Sequence, residues 1–128
     1  MPILVEIAAG ELIDKMTILE IKLDRIGEAG KRANVRREYE QLSAVFQTHV
    51  PPSDRLAELT AALKDANQEL WHIEDDIRER ERIKDFGPEF IALARSVYQT
   101  NDRRAALKRE INTLLLSPIV EEKSYAAY

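Results

Sequence analysis

Apolar residues along this chain change period more than once, and each change predicts a new element. Positions 3 to 8 are β-branched or aliphatic at five of six places, with Gly10 just beyond, which predicts a short strand or extended arm. From Gly10 the spacing turns helical: Leu12, Met16, Leu19, Leu23 and Ile26 recur at steps of four and three, and Ile13, Ile18 and Ile21 widen the stripe around much of the cylinder. A helix over about 10–27 buried on more than one side follows, with Gly27 and Gly30 marking a C-cap or kink. Val35, Tyr39, Leu42 and Phe46 resume the spacing in a second helix over 31–49. Pro51-Pro52 must stop it, because neither residue has an amide proton and the residue before a proline avoids helical ψ.

Ser53 is placed to cap a third helix over 53–84, which carries the most regular pattern: Leu56, Leu59, Leu63, Ala66, Leu70, Ile73 and Ile77 alternate steps of three and four. This predicts a coiled-coil-like antiparallel hairpin with the second helix, and a rod about 48 Å long that would overhang a compact globule of this size. An overhang of that kind calls for an elongated molecule or a covering partner, and a twofold homodimer is the expected form. Asp85-Phe86-Gly87-Pro88 reads as a turn; its first three letters match a kinase magnesium motif, but the catalytic loop and chain length of a kinase are missing. The fourth helix, 88–116, carries Phe90, Leu93, Ala94, Val97 and Tyr98, loses its stripe at Thr100 to Arg104, and recovers it at Leu107, Ile111, Leu114 and Leu115. Ser117-Pro118 ends it, and the alternating tail 119–125 is expected to pair as a strand with the arm at 3–8. The expected fold is mainly α, an elongated helical bundle with one hairpin and a short strand pair, in a single domain spanning 1–128.

Composition narrows the classes of function. With 128 residues, a core can form without staples, and the absence of cysteine removes disulfides, thiol nucleophiles and Cys-ligated metals. A net charge of −4 argues against a nucleic-acid coat, which needs an excess of Lys and Arg. The first apolar stretch is interrupted by Glu6 and follows no basic segment, so no membrane insertion and a cytoplasmic location are expected.

Few positions carry candidate chemistry. Glu69 and His72 have the Glu-x-x-His spacing used in di-iron bundles, yet His49, the other histidine, has no such partner; solvent-facing polar residues explain the pair, and no metal or other cofactor is expected. The run from Glu74 to Arg82 reads as a solvated helix face laced by i,i+4 pairs. Within it Arg80 falls where the heptad register expects an apolar residue, and Asn101 and Arg104 continue the apolar stripe of the fourth helix. If the third and fourth helices fold back about the turn at Asp85 to Gly87, these positions meet in a polar layer of Trp71, Asp75, Arg78, Arg95, Tyr98, Asn101 and Arg104. Such a layer is structural glue or a site for an anionic ligand, because arginine forks serve carboxylates of protein and ligand alike. On the first helix Asp14, Lys15, Glu20 and Lys22 interrupt an apolar cylinder and read as side chains snorkelling from the edge of a core. No catalytic triad or Gly-rich phosphate loop is present, so no catalytic residue is assigned.

Three blocks together resemble an uncharacterised bacterial family of unknown function: the segment Gly10 to Lys22, then Leu70 to Arg78 running into Asp85-Phe86-Gly87, and Leu93 to Tyr98 with Thr100 to Arg104 and Glu121 to Tyr125. The resemblance spans the chain and departs at His72, where an acidic residue is expected. It implies a stand-alone small protein, often encoded beside sugar-transfer and surface-polysaccharide functions, and supplies no activity or site residues. A fainter similarity is to the all-α chorismate mutases, through Ile13-Asp14 and the leucines that follow; there Asp24 stands where that family has a substrate-gripping arginine, and Arg25 comes one place late. It implies an anion pocket built from Lys22, Arg95 and Asn101. The sequence therefore points first to a non-catalytic helical interaction or adaptor protein acting as a dimer, with a further protein partner allowed. The alternative is a small enzyme acting on an anionic metabolite.

Overall fold

A computed structural model describes residues 1–128. It is 73% helical, in four helices: α1 (Ala9–Arg25), α2 (Ala29–His49), α3 (Asp54–Arg82) and α4 (Pro88–Leu114). α1 packs against all three others and carries eight of the 17 buried residues. Its apolar girdle goes most of the way round the cylinder, so one neighbour cannot cover it. α2 and α3 flank it, and α4 runs antiparallel to α3, as the pairs Arg55 with Glu110, Glu69 with Arg103 and Arg80 with Glu89 show by their opposite order along the two helices.

The helix ends show where local chemistry decides. Ser53 Oγ accepts the Leu56 amide at 3.1 Å, and the Glu28 carboxylate accepts the amides of Gly30 and Lys31, so α3 and α2 cap themselves. α1 cannot, since its N-cap is Ala8. Its free amides are satisfied from the far end of the chain: Ala9 N–H donates to Ser117 Oγ at 3.2 Å and Gly10 N–H to Asn112 Oδ1 at 2.6 Å. At its other end the Arg32 guanidinium donates to the carbonyls of Leu23 and Ile26.

Two expectations are corrected. No strand forms at either end: the arm at 3–7 has no regular secondary structure and is exposed, and the tail lies along α4, held by side chains. A two-stranded pairing is marginal on its own, whereas the tail's carboxylates meet cations of α4 directly. The hairpin of residues 31–84 is also absent, because no Cα of α2 comes within 8 Å of one in α3. α2 has a narrow stripe, buries no residue fully, and is satisfied along α1. The regular seam of α3 packs instead on α4 and α1.

The core lies at one end. Ile13, Leu56, Leu59, Leu63 and Ile111 form a fully buried cluster, with Ala9, Phe46, Val50, Leu107 and Leu115 against it. α3 has no buried residue beyond Asn67, and α4 none before Thr100. Where α1 stops, Arg25 Nη2 lies 3.0 Å from His72 Nε2. Beyond that level only α3 and α4 continue, as a two-helix arm about 15 Å long. No helix is long and apolar enough to cross a membrane.

Candidate functional site

The most demanding polar chemistry sits where α1, α3 and α4 meet. Asp14 is 1% exposed, and Arg104 grips its carboxylate with both prongs, Nε to Oδ1 at 2.9 Å and Nη2 to Oδ2 at 2.5 Å. Asn67 Nδ2 donates to the same Oδ1 at 2.9 Å and to Thr17 Oγ1 at 3.0 Å, and the Thr17 hydroxyl donates back to the Asp14 carbonyl. Burial alone would raise the Asp14 carboxyl, but the hydrogen bonds from Arg104 and Asn67 and the charges of Arg104 and Lys108 outweigh it and hold the group below its ordinary value. The same bond raises Arg104. A carboxylate so stabilised is a poor proton acceptor near neutrality. No buried side-chain polar atom lacks a partner, and the cluster locks three helices together.

One turn along α4, Lys108 Nζ bridges Glu11 at 2.6 Å and Glu121 at 3.0 Å. Burial would lower this ammonium, yet its bonds to the two glutamates raise it. The ladder continues outward with Arg109 on Glu122 and Lys123 on Asp102, while the Tyr128 hydroxyl donates to Asp102 and its ring meets Tyr98 edge-on at 4.9 Å. Between tail and α4 this leaves an open groove of about 1140 Å³. Every cation lining it is already paired with a carboxylate of the chain.

Of the seven residues expected to share a layer, only Arg104 enters the buried cluster, and its partner is on α1 and not on α3. Arg78 is exposed and pairs with Glu74 one turn away. Asp75 and Arg95 are exposed without an ion pair, and Trp71 is half-buried on α3. Tyr98 is 41% exposed against the tail, and half-buried Asn101 lines the groove. Arg95 lies nine residues before Arg104, a rotation of about 180° on the helix, so it points away from α1. An anion pocket of Lys22, Arg95 and Asn101 is therefore not assembled. Glu69 turns to Arg103 and His72 to Arg25, and no group of three His, Cys, Asp or Glu side chains is placed to hold a metal ion.

Asp14, Thr17, Asn67 and Asn112 escaped the sequence reading as a group. Asp14 did carry a signal. Snorkelling needs a long stem, and an aspartate flanked by Ile13 and Met16 on an apolar cylinder has none, so it requires a partner inside. Asn67, adjoining the seam position Ala66, is the matching donor.

No curated protein and no solved structure matches the chain. The family model that does match spans residues 3–128, nearly the whole chain including the exposed arm. By that match the protein belongs to the family of unknown function DUF6165.

Proposed function

We propose that this protein is a non-catalytic helical interaction module. The observation that carries the reading is the α3–α4 arm: its apolar seam runs on past the end of α1, and Ile73, Ile77, Leu93 and Val97 are not fully buried there. At the tip Ile83, Phe86 and Ile91 are each about half exposed (48%, 51% and 56%). Apolar surface continuous with a core and left open is the mark of a binding face. The cations of the Asp14 cluster and of the tail groove support the same reading from the other side, since each is held by a carboxylate of the chain and a site for an anionic metabolite there would need cations free to receive it.

A thermal-shift screen against anionic metabolites, including chorismate and nucleotide sugars, tests it. A ligand at 100 times its dissociation constant would stabilise the chain by about 2.7 kcal/mol. The expected result is no shift from any of them. A stabilisation abolished by Arg95→Ala or Arg104→Ala would replace this reading with that of a small enzyme or metabolite-binding protein.

A further inference from the structure

The most exposed leucines and isoleucines of the chain, Leu4, Leu116 and Ile3, lie at the opposite end of the molecule from the α3–α4 tip and are 93%, 86% and 83% exposed. Residues 3–7 enter α1 beside Ser117, whose hydroxyl accepts the Ala9 amide, and on that side Ile119 and Val120 are exposed as well. Leu116 has a φ of 53°, in the left-handed region where a helix usually ends on glycine, and it turns its side chain to solvent. Monomeric proteins rarely leave large aliphatic side chains open in such a group.

The segment has the length and pattern of a short strand. Pro2 has no amide proton to give to a ladder and α1 begins just after its cap at Ala8, so Ile3 to Ile7 are free to pair and Val5 is their centre. Alternation puts Ile3, Val5 and Ile7 on one face and Leu4 and Glu6 on the other. The tail offers no edge within the chain, because its side chains tie it to α4. A second copy of the same segment does. Antiparallel about Val5, Ile3 stands opposite the other copy's Ile7 and Val5 opposite Val5, so one face is aliphatic throughout and each Glu6 faces a Leu4. A parallel pair in register sets Glu6 beside Glu6, and an antiparallel pair centred between two residues mixes the faces.

We propose that residues 3–7 are a self-association strand, paired antiparallel with the same segment of a second copy about a twofold axis at Val5. This surface lies away from the α3–α4 seam and goes beyond the interaction-module reading. A two-stranded ribbon is marginal alone, and the bases of the two copies cover it. Val5 to Ala8 spans about 10 Å of strand, so each base lies that far from the axis. Ile3, level with the other copy's Ile7, arrives at that copy's Leu116 and Ile119. With about 100 Å² for each well-exposed aliphatic side chain and half that for Ile7, Ile119 and Val120, the covered face offers about 450 Å² of apolar area per copy. At the usual apolar share of an interface this corresponds to about 800 Å² per copy, the size of a standard specific interface.

Sedimentation equilibrium of the full chain, from low to several hundred micromolar, tests this: the mass rises from 14.7 kDa toward twice that value. Val5→Asp and Val5→Lys each set like charges opposite one another on the aliphatic face and weaken association at least tenfold, and an equimolar mixture of the two recovers it. Leu116→Asn weakens it severalfold. The circular dichroism of the Val5 variants matches wild type, because residues 3–7 belong to no helix. The chain has no cysteine, so single cysteines read the register. Under mild air oxidation Val5→Cys links into a dimer, since its two thiols stand opposite. Leu4→Cys and Glu6→Cys link to themselves at least tenfold more slowly, and their mixture links as fast as Val5→Cys. A wild-type chain monomeric over the whole range overturns the proposal. So do a Val5→Asp chain that associates like wild type, association indifferent to Leu116→Asn, and a Leu4→Cys chain that links to itself as fast as Val5→Cys.

Discussion

The two halves of α3 carry one pattern and meet opposite fates. In the lower half Leu56, Leu59, Leu63 and Ala66 are all 3% exposed or less; in the upper half Leu70, Ile73 and Ile77 continue the same three-four spacing and none is buried. α4 faces both halves, so the difference is α1, which covers the first and ends before the second. A heptad seam states that a face is apolar; what covers it is set by the lengths of other helices. The polar groups divide in the same way. Below, charges are buried and locked across three helices by Asp14 and Arg104; above, they are exposed and paired one turn apart, as in Arg78 with Glu74 and Arg82 with Glu79.

The largest contrast is expected from arginines. Arg104→Ala leaves the Asp14 carboxylate buried and stripped of its main partner, which costs about 3–5 kcal/mol, whereas Arg78→Ala in the arm costs under about 1 kcal/mol. Urea titration of both variants measures this, and equal costs would erase the distinction between the halves. The pH dependence sharpens it. In the wild type the folded Asp14 titrates below its unfolded value of 3.8, so its contribution is present above that value and is lost as pH falls through the lower folded one. In Arg104→Ala burial dominates and raises the carboxyl above 3.8, so this variant gains stability as pH falls toward that value. The opposite slopes, read from urea midpoints across the acid range, assign the effect to Asp14.

Much of the helical bundle was legible because it is written in local chemistry: Ser53 as a cap, Pro51-Pro52 as a stop, Pro88 as a start, and the wide apolar stripe of α1 as a sign of multiple neighbours. What escaped depends on residues distant in sequence. The amides of Ala9 and Gly10 find their acceptors on Ser117 and Asn112, and no feature of residues 5–12 announces it. The β-branched pair Ile119-Val120 favours a terminal strand, but Glu121 and Glu122 follow at once, and their attraction to Lys108 and Arg109 decides the path of the tail. The candidate site was half legible. Arg104 stood out as a charge on an apolar stripe, while its partner was sought on the nearest helix in sequence and lies on the farthest.

Truncation of seam leucines and isoleucines compares the halves through packing alone. Leu63→Ala empties a fully enclosed site among Ile13, Leu59 and Ile111 and should cost about 2–5 kcal/mol. Ile77→Ala, in the half-covered seam, should cost about 1 kcal/mol or less at concentrations where the chain is monomeric, because less area leaves water on folding. Thermal melts at two protein concentrations separate the contributions. Both penalties are independent of concentration when the second copy seats at the base, and a penalty at Ile77 that grows with concentration would place that copy on the upper seam.

The last contrast lies within the base and tests how tightly its helices are locked. Gly10 is needed for close approach and not for its backbone angle: an added Cβ would stand 2.5 Å from the Lys108 carbonyl oxygen and 2.9 Å from Asn112 Oδ1. The asparagine can shift slightly, but a helical carbonyl cannot, so α1 must move off α4 and stretch the Gly10 bond to Asn112. Gly10→Ala should therefore destabilise by about 1–3 kcal/mol despite alanine's better helix propensity. Gly27, with nothing within 4 Å of its Cβ position, supplies the control, and Gly27→Ala should be neutral to slightly stabilising. Asn112→Ala removes the acceptor without moving the helix. If Gly10→Ala costs no more than Gly27→Ala, α1 and α4 are not in contact at this level, and the anchoring of α1 by the end of the chain is lost with it.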